Sequence, residues 1–251
     1  MTKLVCAMII CDEEQWLPLS MKSVIDEVDT FVMVDSGSTD NTKKVATKLC
    51  EEHKTELVWL TYKRQNNPKD DGAQRNVYIK YIKEHHMNDW CLVLDADELI
   101  SGDLKSSKEE LVNIEEKIDC LCLKTHHMID LSHEDATIPA HWTKNRLFKI
   151  KKTLVHPLLE HGMAQGFSNI QGAAWIELWH FAYCRRAFYF LDKNKEMRNK
   201  SKIHNKSFQK WWYYSHILGV YPKKSINPNL LPKIIKDKFF VCGSVDELAW
   251  Q

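Results

Sequence analysis

The sequence predicts a layered α/β fold: a mostly parallel central sheet flanked by helices, with a helical, basic C-terminal appendage. Three observations carry this. Short β-rich runs alternate with amphipathic helical stretches through the first half, the pattern of successive βαβ units. Two of those runs, Phe31-Val-Met-Val34 and Cys91-Leu-Val-Leu94, are apolar at every position, as strands are when helices cover both faces of a sheet. Acidic residues follow three of the strands, at the edge where open α/β sheets bind their ligands.

Leu4–Ile10 reads as the first strand. Residues 14–28 place Trp16, Leu17, Leu19, Met21, Val24, Ile25 and Val28 near helical spacing, with acids at the start where the helix dipole favours them. The second strand, 30–34, runs into Asp35-Ser-Gly-Ser-Thr-Asp40, a set of small polar turn residues from which a helix over 42–52 is capped. A third strand covers 56–62, and after a polar loop Gly72-Ala-Gln-Arg-Asn76 opens a helix to about His85. The fourth strand, 90–94, leads into Asp95-Ala96-Asp97-Glu98. Further on, the pattern predicts a helix over 109–118, a strand over 120–123 and a hairpin of 147–150 with 154–155. Beyond Trp179 the character changes: 185–210 is helical in propensity and rich in Lys, Arg and Asn, and Trp211-Trp-Tyr-Tyr214 leads into a basic tail. The expected division is therefore 1–180 as the α/β unit and 181–251 as an extension packed on it.

Composition narrows the class. The chain has 251 residues, 44% of them hydrophobic and 27% charged, with 8 Gly and 7 Pro, which excludes collagen-like and wholly disordered chains. A net charge of +1 hides an asymmetry, since residues 1–135 hold 16 Lys/Arg against 27 Asp/Glu and residues 136–251 hold 19 against 7. That pattern suits an acidic, cation-demanding site in front and an anion-facing or membrane-facing part behind, or two halves that pack against each other. No apolar run approaches the ~20 residues that span a bilayer, and the start lacks a secretory leader's apolar core. Eight scattered cysteines without a CxxC pair read as small buried hydrophobes in a reducing compartment, so the expected location is cytoplasmic.

Asp95-Ala96-Asp97 is the sharpest candidate site. Two carboxylates two residues apart, just past a buried strand, offer oxygens to a hard divalent cation that also touches substrate phosphates. A bare DxD is equally what a solvated acidic turn looks like, so the combination matters more than the tripeptide. The order of strand, acidic turn, helix, strand, Asp35-Ser-Gly-Ser-Thr-Asp40, helix, Gly72-Ala-Gln-Arg-Asn76 and Trp90-Cys-Leu-Val-Leu-Asp-Ala-Asp-Glu98 resembles family 2 glycosyltransferases of GT-A fold. The resemblance is nearest to the lipopolysaccharide-core glucosyltransferase-like branch, which shares the GAxRN and DADE segments. It continues through Asn145-Arg-Leu-Phe-Lys149, Val155-His156 and Leu178-Trp-His-Phe-Ala-Tyr183.

The resemblance implies a metal-dependent, inverting transfer of a sugar from a nucleoside-diphosphate donor, a UDP-sugar, to an acceptor hydroxyl on a glycan or glycoconjugate. It implies that Ile10, Cys11 and Glu13 line the nucleoside with Asp35, which bonds uracil or ribose, and that Asp95 and Ala96 face the ribose. Asp97 would coordinate Mn²⁺ or Mg²⁺ bridging the diphosphate, with His180 as a third metal ligand or else a structural histidine beside Trp179. Arg75 is a cation near the donor, or a partner of Asp70 or Asp71. Inverting transfer needs a carboxylate that takes the acceptor's proton. Where the family pattern reads His-Glu this chain reads His156-Pro157, so the base falls to Glu160, one helical turn on if Pro157 opens a helix, with Glu134 and Asp135 in reserve and His156 orienting the acceptor.

Two competitors come from other classes. A nucleotidyltransferase also sets an acidic pair at such an edge, but would show a Gly-rich phosphate loop after its first strand, where Cys11-Asp12-Glu13 has none. A catalytically inactive nucleotide-sugar-binding module is motivated by the displaced carboxylate. The Lys- and Trp-rich segment 206–224 suits core packing, sugar stacking or peripheral membrane contact, and nucleic acid ranks last as a partner because the acidic front half would repel it.

Overall fold

The computed structural model describes residues 2–65, 70–104, 111, 118–130, 133–135, 141–158, 163–181, 223–226 and 232. The first half follows the predicted alternation: β1 (Leu4–Ile10), α1 (Leu17–Lys22), β2 (Thr30–Asp35), α2 (Thr42–His53), β3 (Glu56–Thr61), α3 (Asp70–His85) and β4 (Trp90–Val93). Strands β4, β1, β2 and β3 lie side by side in that order and all run parallel. Their residues alternate between two cores. Leu4, Cys6, Met8 and Ile10 of β1 pack with Leu17 and Met21 of α1 and Ala46, Leu49 and Cys50 of α2. Val5 and Ala7 face the other way, onto Tyr78, Ile79 and Ile82 of α3. A strand buried on both sides needs no polar alternation, which explains the continuous apolar runs.

One predicted helix is shorter than its periodicity suggests. The run over 14–28 yields only the six residues of α1, with Pro18 in its first turn. Past Lys22 the Ser23 hydroxyl donates to the Ser20 carbonyl at 2.7 Å, a local bond that competes with the helical ladder, and the chain continues as turns.

Beyond β4 the sheet changes character. The chain continues as β5 (Glu98–Gly102), β6 (Cys120–Asp130), β7 (His133–Asp135), β8 (His141–Lys149), β9 (Ile170–His180) and β10 (Lys223–Ser225). Strand β8 lies antiparallel beside β4, and β6 pairs β8 on its other edge, so the parallel core carries an antiparallel extension. Strand β9 runs parallel to β6 and antiparallel to β5. The expected strand over 120–123 is thus the start of an eleven-residue one. The expected hairpin of 147–150 with 154–155 is replaced: 147–149 belong to β8, and Val155 bridges Gln165 instead. The expected helix over 109–118 and the helical part of the C-terminal appendage fall almost wholly outside the described residues, whereas the described stretch Lys223–Ser225 is an edge strand on β7.

Gly102 closes β5 with φ +105°, and a Cβ there would lie 2.2 Å from the Trp175 carbonyl oxygen of β9. Both the backbone conformation and the close approach demand glycine. Gly102→Ala is therefore expected to cost about 1–3 kcal/mol of stability, read as a lower urea midpoint at unchanged slope. An unchanged midpoint would show that the β5–β9 pair relaxes freely.

Candidate active site

The ends of β1 and β2 are laced together by their own acidic turns. Asp12, at φ +53°, accepts the Thr39 and Asp40 amides at 2.7 and 3.3 Å through Oδ1, and its own amide donates to the Ser38 hydroxyl at 2.9 Å. The Glu13 amide donates to the Thr42 hydroxyl at 2.7 Å. Asp40, rather than the N-cap residue Asn41, caps α2 by accepting the Thr42 amide at 2.9 Å. Asp35 closes a turn of its own, its Oδ1 taking the Gly37 amide at 3.2 Å and the Ser38 amide and hydroxyl at 2.9 and 2.7 Å. Ile10 pairs with Asp35 across the two strands, and the Cys11 thiol lies 3.9 Å from Asp12 Oδ2. Ile10, Cys11, Glu13 and Asp35 thus share one sheet edge.

The Gly72-Ala-Gln-Arg-Asn76 segment sends three side chains to three places. Gln74 donates to the Val34 carbonyl of β2 at 2.7 Å. Arg75 reaches Asp95 Oδ1 at 2.7 Å, while Asp71 is taken by Arg64 at 2.6 Å and Asp70 accepts from Tyr62 and Gln65 at 3.0 and 3.1 Å. Arg75 thus pairs with the first carboxylate of the acidic motif. Asn76 clamps the backbone of His156 from both sides, donating to its carbonyl at 2.8 Å and accepting its amide at 3.0 Å.

At the carboxyl end of β4 the Asp95-Ala-Asp-Glu98 turn is closed on itself. The Asp95 amide donates to Glu98 Oε2 at 3.0 Å, the Glu98 amide donates back to the Asp95 carbonyl at 3.0 Å, and the Ser20 hydroxyl reaches that carbonyl at 3.3 Å. Ala96 is buried in the core beneath the turn. Two cations from β8 complete the arrangement. Arg146 reaches Asp95 Oδ2 at 3.0 Å and Glu98 Oε1 at 2.6 Å, and Lys144 reaches the same Glu98 oxygen at 2.7 Å. Burial alone would raise the carboxyl pKa values, but Arg75, Arg146 and Lys144 hold Asp95 well below the usual carboxylate range, and Arg146 and Lys144 hold Glu98 below its ordinary value. Burial likewise works against the Arg75 charge, and Asp95 overcomes it. Three cations thus meet two carboxylates, leaving a positive excess beside Asp97.

Asp97 is the second carboxylate of the motif. Its carbonyl accepts the Phe181 amide at 2.8 Å, which brings the end of β9 alongside, and its Oδ1 lies 3.8 Å from His180 Nε2. That separation is too long for a direct hydrogen bond. On donor chemistry the pair fits Mn²⁺ beside a diphosphate better than Mg²⁺, which takes oxygen ligands and binds imidazole poorly. Among the described residues no group of three His, Cys, Asp or Glu gathers for a metal, so the remaining positions of such an ion would go to substrate oxygens and water. Burial, and then Lys144, lower the His180 pKa. His180 Nδ1 faces His127 Nδ1 at 3.2 Å.

Sequence reasoning missed Lys144, the bridging role of Arg146, and His127. Arg146 lay in a segment singled out only by resemblance, and nothing local marks the other two. Glu160 falls outside the described residues. His156 is 3% exposed with its Nδ1 3.0 Å from the Pro157 carbonyl oxygen, and residues 156–158 are not helical, so Pro157 does not open the helix expected there. Glu134 is buried, bonded to His126 Nδ1, and 3.8 Å from Lys224. His126 is the neighbour of His127 along β6, so the strand's alternation puts Glu134's partner on the face opposite His127 and His180.

A parallel α/β core with an acidic, cation-braced turn at the carboxyl end of its fourth strand places the molecule among α/β domains that bind ligands at that edge. More narrowly, the chain belongs to glycosyl transferase family 2, whose model matches residues 6–167. Over 98 residues it is 36% identical to a TPR repeat-containing protein of Synechococcus elongatus, a match covering 39% of this chain and 21% of that protein. The chain therefore spans about a fifth of the length of that curated relative. Among solved structures, S. aureus TarS 1-349 aligns with TM-score 0.49 at 13% identity, covering 87% of this chain and 73% of that one. Glucosyl-3-phosphoglycerate synthase from Mycobacterium tuberculosis, in complex with Mn²⁺ and UDP-glucose, aligns with TM-score 0.32 at 14% identity, covering 49% of this chain and 43% of that one. Among the described residues no helix is long and apolar enough to cross a membrane.

Proposed function

We propose that the chain transfers a sugar, with inversion, from a UDP-sugar to a hydroxyl of a glycan or glycoconjugate, in the manner of the lipopolysaccharide-core glucosyltransferase-like branch of its family. The observation that carries this reading is the meeting of Asp97 and His180, from segments 83 positions apart in sequence, beside the braced Asp95-Glu98 turn. Asp35 and the ends of β1 and β2 receive the nucleoside, and Asp95 faces the ribose while Arg75 and Arg146 fix its orientation. Asp97 and His180 hold Mn²⁺ or Mg²⁺, which when bound neutralises the charge developing on the departing diphosphate. Arg75, Arg146 and Lys144 add a positive field at the same edge. Asn76, through the His156 backbone, fixes where the segment leading to Glu160 departs, and Glu160 takes the proton of the attacking hydroxyl. The extension beyond residue 181 supplies acceptor or peripheral membrane contacts.

The experiment is UDP release from UDP-sugars with Mn²⁺. Turnover that disappears on adding chelator and falls about 10²–10⁴-fold in Glu160→Gln, with UDP affinity unchanged, is the expected result. Unaltered turnover in Glu160→Gln would move the base elsewhere, and UDP binding without turnover would favour an inactive binding module.

A further inference from the structure

Strands β6 and β9 run parallel in a register that sets His127 directly beside His180. The two imidazoles meet edge to face, ring centroids 5.3 Å apart at 79°, with their Nδ1 atoms 3.2 Å apart. At that distance two ring nitrogens form a hydrogen bond only if one carries a proton and the other a lone pair. On the far side of its ring His180 turns Nε2 toward Asp97 Oδ1 at 3.8 Å. The two ends of one neutral ring are linked: a proton on Nδ1 leaves a lone pair on Nε2, and the reverse tautomer puts an N–H there instead.

We propose that His127 is a positioning residue, accepting the Nδ1 proton of His180 and so holding the His180 Nε2 lone pair toward Asp97, ready for a divalent cation. This rests on the reading of Asp97 and His180 as the metal-holding pair. It extends that reading one layer outward, since ligating histidines are oriented by the partner of their second nitrogen. Strand pairing fixes the geometry before any ligand arrives, because His127 and His180 are neighbours in the β6–β9 ladder. The Glu98 end of β5 pairs His180 from the opposite side, so the His180 backbone is held between two strands.

The test uses Mn²⁺ with UDP as probe, and electron paramagnetic resonance to count free Mn²⁺. His127→Phe, which keeps a ring but no acceptor, is expected to weaken Mn²⁺ binding about 10–100-fold. His127→Asn, whose amide oxygen can take the place of Nδ1, is expected to recover most of it. In the unmutated, metal-free protein with ¹⁵N-labelled histidine, long-range ¹H–¹⁵N correlations are expected to show the His180 proton on Nδ1. Equal loss in both variants, no loss in His127→Phe, or a His180 proton found on Nε2 would each overturn the proposal. Failure of the underlying reading is distinct: His180→Ala would then bind Mn²⁺ with UDP as the unmutated protein does. If His180→Ala weakens binding and His127→Phe does not, only the role of His127 falls.

Discussion

Asp97→Asn is expected to lower release of UDP from a UDP-sugar by about 10²–10³-fold with the fold unaltered. Aspartate and asparagine have the same shape, and the bond from the Phe181 amide goes to the Asp97 backbone carbonyl and survives the change. Arg75, Arg146 and Lys144 brace the turn through Asp95 and Glu98. What the substitution removes is the anionic oxygen facing His180, the proposed ligand for a cation that would offset the charge on the leaving diphosphate. Steady-state UDP release, with a thermal melt on the same samples, checks it. Full activity in Asp97→Asn would remove this carboxylate from the chemistry.

The opposite behaviour is expected of Arg146→Met. Arg146 bridges Asp95 and the wholly buried Glu98, so its loss leaves each carboxylate a cation short, Asp95 keeping Arg75 and Glu98 keeping Lys144. Breaking a buried pair by removing one partner costs about 3–5 kcal/mol, since the desolvated charge remains. Chemical denaturation reads that loss directly. The acid limb supplies a second readout. Asp95 and Glu98 titrate in the folded protein below their ordinary values, so the stability they confer is present above the unfolded carboxylate pKa of about 4 and is lost as the pH falls through the folded values beneath it. Without Arg146 those folded values rise, and acid unfolding moves to higher pH. Adding Glu98→Gln to Arg146→Met is expected to return part of the stability, because one charge left a cation short is then gone. A single variant as stable as the parent would show that Lys144 and Arg75 suffice.

How much of this was legible in the sequence follows from what each feature depends on. Strands β1 to β4 and their helices were readable because burial on both faces writes itself into local composition, as in Phe31-Val-Met-Val34. The turn residues after Ile10, Val34 and Leu94 pointed to one sheet edge, where Asp12 and Asp40 stitch the first two turns together. Strand β5 was hidden because it begins at Glu98, inside the acidic motif itself. Strand β9 was hidden by Gly172-Ala-Ala174, weak strand formers whose placement comes from pairing with β6 and β5 rather than from propensity. The same non-locality conceals Lys144, Arg146 and His127. Lys144 and Arg146 reach the acidic turn because β8 docks antiparallel beside β4, and His127 meets His180 through a register set across 53 positions. The catalytic base stays a sequence-derived assignment, with Asn76 as the structural clue to where its segment starts.

In the proposed mechanism a divalent cation held by Asp97 and His180 fastens a nucleoside diphosphate to this edge. Isothermal titration of UDP into the chain, with Mn²⁺ and again with chelator, tests it most directly. Binding at least about tenfold tighter with Mn²⁺, an advantage lost in both Asp97→Asn and His180→Ala, is the predicted result. UDP affinity that is the same with and without the metal, or an Mn²⁺ advantage retained in both variants, would contradict it.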